Sequence, residues 1–145
     1  MFPGVYFLEK HVGRGAAFGD IDNDGDWDVV VVNNDEPAAL LRNDTPRSNQ
    51  WARLELHGQG CNRDAIGARV RVNTGGSTQT QYVPSAGSYL SEHDRRLLFA
   101  LPGAPGPVTA EIRWPCGATA TVDLKPGHSV SVEEKNCLLP RKPSK

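Results

Sequence analysis

Asp20-Ile21-Asp22-Asn23-Asp24-Gly25-Asp26-Trp27-Asp28 sets five carboxylates on alternate residues of a nine-residue run. Like charges this close repel strongly, so the run is costly unless a cation sits among them. Calcium suits such a loop, being hard, taking roughly six to eight oxygens and tolerating irregular geometry. The side chains of Asp20, Asp22, Asp24 and Asp28 are assigned to the ion. Asp26 supplies its main-chain carbonyl, with its own carboxylate pointing outward. Gly25 permits the sharp bend that folds the first three acids toward the fourth. The competing reading is an acidic turn that needs no ion, but ordinary turns use only about one or two acids.

An EF-hand loop opens the same way, yet it requires a Glu at its twelfth position and helices on both sides. Counted from Asp20, the twelfth residue is Val31, inside the β-branched run Val29-Val30-Val31-Val32. That run reads as a buried strand, and no helical face comes after it. The loop therefore joins two strands and takes its last carboxylate from its ninth position, Asp28. This pattern resembles the calcium loop of FG-GAP repeats, the blades of integrin-type β-propellers. The resemblance implies an Asp-rich turn linking two strands of one blade.

Residues 1–46 are read on this basis as an FG-GAP-like blade. Gly15-Ala16-Ala17-Phe18-Gly19 enters the loop as a small-residue strand able to pack closely near a propeller axis. Residues 27–32 leave it, and Asn33-Asn34-Asp35-Glu36-Pro37 turns the chain into a third short strand over 38–42. One blade cannot close a ring, since propellers need about four to eight. A lone blade leaves an edge and an apolar face uncovered, so either further blades complete it or it packs on the C-terminal domain. A homo-oligomer formed through the blade edge is a third outcome.

Thr45-Pro46-Arg47-Ser48-Asn49 is a polar connector and marks the boundary. Beyond it the pattern becomes a period-two alternation. Trp51, Arg53 and Glu55 interleave with Ala52, Leu54 and Leu56, and Ala68, Val70 and Val72 oppose Arg69, Arg71 and Asn73. Thr74-Gly75-Gly76-Ser77 reads as a hairpin turn into 78–83. Further strands are expected over 97–101, 108–114, 118–124 and 128–132. About seven short strands at regular spacing make residues 47–134 a small β-sandwich or barrel. Residues 135–145 carry Lys, Arg and Pro without periodicity and read as a disordered tail. The fold class is all-β.

Asn62-Arg63-Asp64-Ala65-Ile66-Gly67-Ala68-Arg69-Val70 resembles the signature of the ASPIC/UnbV domain. Gly87-Ser88-Tyr89-Leu90-Ser91 and Trp114-Pro115-Cys116-Gly117 resemble its second and third landmarks. That family typically comes after FG-GAP repeats, which is the order here, and the resemblance spans roughly residues 13–134. It occurs in cartilage acidic protein and in proteins tied to bacterial enediyne biosynthesis. The resemblance implies an extracellular or periplasmic protein, although residues 1–6 lack the basic and apolar segments of a secretory signal. Cys116 stands where the family more often has a small polar residue.

Composition narrows the function classes. With 145 residues the chain suffices for one domain or two small ones. A net charge of −1 gives no global bias toward nucleic acid or acidic membranes. No apolar run approaches the length of a membrane span. Cys61, Cys116 and Cys137 form an odd set without CxxC spacing, so free or buried thiols are favoured over a Cys61–Cys116 bridge. His11, His57, His93 and His128 make no metal spacing. Asn43-Asp44-Thr45 fits the N-glycosylation rule in a eukaryotic secretory context.

Three further stretches invite chemistry. Asn62-Arg63-Asp64 reads as an Asx-type turn fixing a strand entry, and Gly67 as a bulge or close backbone approach. Gly87 to Asp94 contains Ser, His and Asp, but not the spacing or context of a nucleophile elbow. Local hydrogen bonds are expected to order that loop, with Tyr89 and Leu90 tucked against the sandwich. Arg63, Arg69, Arg71, Arg95 and Arg96 are read as a solvated face before an anion-binding strip. The expected function is a calcium-stabilised, non-enzymatic module that binds a protein or glycan partner. The rival is an accessory or enzymatic component of an enediyne-type biosynthetic pathway.

Overall fold

The computed structural model describes residues 4–46, 50–60, 62–103 and 105–135. Cys61, Cys137, most of the expected tail and the end of the 45–49 connector lie outside them. The described residues are all-β, with ten strands in three sheets and one short 3-10 turn at Val5–Leu8. None of the helices described is long and apolar enough to cross a membrane. The chain divides into two compact units, Met1–Pro46 with Ser85–Asp94, and Arg47–Pro84 with Arg95–Lys145.

The first unit is a three-stranded antiparallel meander of β1 (Gly13–Gly19), β2 (Asp28–Asn33) and β3 (Ala39–Leu41). These are the strands that flank the acid loop and the Asn-rich turn in the sequence. Valine side chains favour β2 because branching at Cβ suits a pleated surface. The run is less buried than its composition suggests: Val29, Val30 and Val31 are half-buried and Val32 is exposed. Three short strands have too little surface to enclose a central strand on both faces.

Residues 85–94 return from far along the chain to cover the edge of β1 that faces away from β2. Ser91 Oγ donates to the Ala16 carbonyl at 3.0 Å, and Asp94 N–H donates to the Phe18 carbonyl at 2.8 Å. Phe18 N–H donates to His93 Nδ1 at 3.3 Å, and the His93 ring meets Phe18 edge-on. Alternate residues of β1 thus satisfy the groups that a bare edge would offer to another chain. Gly15 makes the approach possible, since a Cβ there would stand 2.6 Å from the Tyr89 carbonyl oxygen. The close neighbour of the small-residue strand is therefore this segment. Gly15→Val is expected to cost about 1–3 kcal/mol by overpacking against fixed backbone. Faster hydrogen exchange at the Phe18 amide, with the β5 amides unchanged, would register it.

The same segment corrects one expectation. Its loop is ordered by local bonds, Gly87 N–H to the Ser91 carbonyl and Ser91 N–H to that of Ser88. Tyr89 and Leu90, however, are 67% and 89% exposed rather than tucked away. The polar side chains of Ser91 and His93 and the Asp94 amide make the hydrogen bonds with β1, so Tyr89 and Leu90 are free to point outward.

The second unit holds the seven expected strands: β4 (Gln50–His57), β5 (Arg69–Asn73), β6 (Thr78–Tyr82), β7 (Leu97–Leu101), β8 (Val108–Arg113), β9 (Thr119–Leu124) and β10 (His128–Glu133). They form two sheets, ordered β10-β4-β7 and β6-β5-β8-β9, with β10 parallel to β4 and every other pair antiparallel. Ala52, Leu54 and Phe99 from one sheet meet Val70, Val72 and Ile112 from the other in a single core. Burying each large side chain contributes about 1.5–3 kcal/mol. Trp114 is buried beside the tight turn at Gly117, whose N–H donates to the Trp114 carbonyl.

The Asn62 stretch is structural, as its residue types suggest. Asn62 Oδ1 accepts Ile66 N–H at 2.7 Å while its Nδ2 donates to the Ile66 carbonyl at 3.1 Å. One side chain thus closes the turn with both halves of its amide. Gly67 N–H donates to the Val83 carbonyl, and Val83 N–H to that of Ala68, so two residues oppose one in a bulge. Gly67 serves there through its φ of +84° and not through close approach, because nothing among the described residues lies within 4 Å of a Cβ built on it.

Cys116 is disulfide-bonded, which corrects the free-thiol expectation. Its two possible partners within the chain, Cys61 and Cys137, are far from it in sequence, and pairing across such distances leaves no local signal.

Candidate metal centre

Strand pairing places Gly19 opposite Asp28, so the acids at the two ends of the loop start side by side. Asp28 then ties two other pieces of chain to β2. Its Oδ2 accepts Ile21 N–H at 2.9 Å, and its Oδ1 accepts Asn43 N–H, just beyond β3, at 2.8 Å. Across the loop, Asp20 Oδ2 accepts Gly25 N–H at 2.7 Å. Asp22 Oδ1 accepts Asp24 N–H at 3.3 Å, and Asp24 Oδ1 accepts Asp26 N–H at 2.9 Å. These i to i+2 bonds are Asx turns, and they wind the loop into a tight coil. Asn23 and Gly25 take φ of +62° and +86°, a conformation that Asn and Gly tolerate best.

The coil brings Asp20, Asp22 and Asp28 together, each offering one carboxylate oxygen within 4.8 Å of the others. Asp20 and Asp28 are almost wholly buried, at 2% and 1% exposure. Asp24 and Asp26 stand outside that close group. Oxygens so spaced can touch one ion, because calcium–oxygen distances are about 2.3–2.6 Å. The donors are hard oxygens, which matches calcium or magnesium and not a thiophilic metal. Two carboxylates about 5 Å apart repel by about 3 kcal/mol at an effective dielectric near 20. Arg42 offsets part of this from the rim, 4.0 Å from Asp22, while pairing with Asp44 at 2.7 Å. The hydrogen bond to Asp44 is the main cause that raises the Arg42 pKa.

The side chains of Ser91 and His93 in 85–94 are engaged elsewhere. Ser91, His93 and the Asp94 amide bond the edge of β1. That use of the histidine and serine explains the sequence pattern without a reaction. Of the five arginines considered, Arg69 and Arg71 do share one face of β5, whereas Arg95 pairs with Asp64 at 2.5 Å.

One titrating pair supports the first unit. His11 Nδ1 lies 2.6 Å from Glu36 Oε2, and Nε2 lies 3.2 Å from the Tyr6 carbonyl. Both ring nitrogens face acceptors, so the doubly protonated imidazolium satisfies both. The Glu36 hydrogen bond is the leading cause that raises the His11 pKa above 6.5. The sign comes from linkage. A raised folded value means the pair stabilises fully below pH 6.5 and loses its contribution as pH rises through the folded pKa. An NMR titration of the imidazole should show the elevated value, and Glu36→Gln should bring it back down.

Two contributors escape the sequence reading. Glu134, read only as the last residue of the 47–134 domain, is buried and accepts Gln59 and Gly60 N–H at 2.8 and 2.7 Å. Arg113 joins Arg69 only because β8 pairs with β5. Neither leaves a local signal.

The family model described as ASPIC and UnbV matches residues 58–138, more than half of the chain. Among curated proteins no match is found.

Proposed function

The chain belongs to the ASPIC and UnbV family, and we propose that it is a calcium-stabilised, non-enzymatic module that binds a protein or glycan partner. The convergence of the Asp20, Asp22 and Asp28 oxygens within 4.8 Å carries this reading. Those residues would hold the ion, with Asp24 and the Asp26 carbonyl completing the set. Bound there, calcium supplies charge neutralisation and a rigid tie between the ends of β1 and β2. The meander around the loop supports an FG-GAP-like origin for the first unit. Outward-facing Tyr89, Leu90 and Leu40 offer apolar surface for a partner. A disulfide at Cys116 favours an oxidising compartment, outside the cytoplasm, where calcium is plentiful.

The test is retention on immobilised glycan and protein panels with calcium, with chelator, and with calcium restored. Binding that disappears with chelator and returns with calcium, and that Asp22→Asn weakens, supports the reading. A fully calcium-loaded protein that retains nothing while turning over a small substrate overturns it.

A further inference from the structure

We propose that the outer face of the β6-β5-β8-β9 sheet is a binding site for an anionic saccharide, a sugar carrying a sulfate, phosphate or carboxylate group. A cleft of about 620 Å³ opens on that face, lined in part by Arg69, Arg71, Arg113, Thr119 and Thr121. Its size falls within the range of about 300–1,000 Å³ usual for small-ligand sites.

The charges in the cleft are unusual for a sheet. Register sets Arg69 directly opposite Arg113, a like-charged cross-strand pair. Such pairs destabilise a sheet unless something offsets them. Glu111, the acid of the cleft, sits opposite Arg71. No ion pair joins any of these arginines to an acid among the described residues. Arg69 Nε is buried and has no acceptor among the described residues. This concentration of positive charge occurs in a chain whose net charge is −1. Guanidinium forks match sulfate, phosphate and carboxylate bidentately.

The rest of the cleft selects a sugar over an acidic peptide. β5 lies between β6 and β8, and β8 between β5 and β9, so their main-chain groups are spent on pairing. A peptide laid across this face would find no backbone partners of the kind that strand addition provides. Side-chain hydroxyls of Thr119 and Thr121 both donate and accept, as the hydroxyls of a saccharide require.

This inference takes its glycan class from the binding-module reading, but its site shares no residue with the acid loop. The experiment titrates the calcium-loaded protein by NMR with a heparin-derived disaccharide and with glucose 6-phosphate. Inorganic sulfate and a hexaglutamate peptide are run in parallel. One of the two sugars should bind at least tenfold tighter than either control, with shifts at the Arg69 and Arg113 side chains. Which sugar wins distinguishes sulfate from phosphate. Arg113→Gln should weaken that sugar at least tenfold without lowering the melting temperature of the free protein. Sulfate binding as tightly as the sugars would mean an adventitious ion only, and hexaglutamate binding as tightly would mean an acidic protein partner. Either result overturns the proposal, as does undiminished binding by Arg113→Gln. A protein that responds to calcium yet binds neither sugar sinks the cleft and leaves the calcium reading standing.

Discussion

Glu134→Ala is expected to destabilise the seven-stranded unit by about 3–5 kcal/mol. The carboxylate is 1% exposed, and one of its oxygens takes the N–H groups of both Gln59 and Gly60. Glu134 N–H in turn donates to the His57 carbonyl at 2.7 Å, extending the parallel pairing of β10 with β4. Truncation would leave two donors without an acceptor and open a void beside Cys116, whose sulfur lies 3.0 Å from the other oxygen. Each hydrogen bond to a charged group is worth about 1.5–3 kcal/mol, which sets the range. Glu134→Gln keeps one acceptor oxygen and should lose about half as much. Urea unfolding with the disulfide intact measures both, as a lower midpoint at unchanged slope. A midpoint for Glu134→Ala indistinguishable from wild type would show that this carboxylate holds nothing.

Calcium added to metal-stripped protein should stabilise the first unit by about 2.7 kcal/mol at a hundredfold excess over its dissociation constant. For a unit of this size that corresponds to a rise of roughly 10–20 °C in its melting temperature. The choice of variant matters. Asp28→Asn would remove an acceptor from either Ile21 or Asn43 and damage the apo fold as well. Asp22 is exposed, and the bond it accepts from Asp24 N–H can be kept by an Asn carbonyl oxygen. Asp22→Asn should therefore melt like the stripped wild type and lose most of the calcium response. The apo protein should also gain from added salt, which screens the crowded carboxylates, whereas the loaded protein should not.

Much of this architecture is legible locally. Alternation along 51–56, 68–73 and 108–114 identifies the strands, because each has one face in the core and one in solvent. The acid loop is legible because the electrostatic cost of five aspartates in register is local too. What escapes is whatever depends on which distant segments meet. Residues 85–94 read as a loop of the second unit, yet Ser91, His93 and the Asp94 amide bond the edge of β1, and only the smallness of Gly15 hints at a neighbour there. Arg113 reads as an ordinary outward residue until the order β6-β5-β8-β9 sets it beside Arg69. Glu134 sits where period two gives way to the tail, and its burial depends on the loop at 58–60 folding over it. Within the loop, composition marks five candidate ligands, but the Asx turns decide that Asp20, Asp22 and Asp28 converge.

Calorimetric titration of calcium into chelator-treated protein tests the metal centre most directly. One ion per chain should bind, with a dissociation constant no weaker than about 1 mM, the range of extracellular modules. Asp22→Asn should weaken it at least tenfold. No heat of binding up to about 10 mM calcium, ten times that limit, or an affinity untouched by Asp22→Asn, would contradict the account.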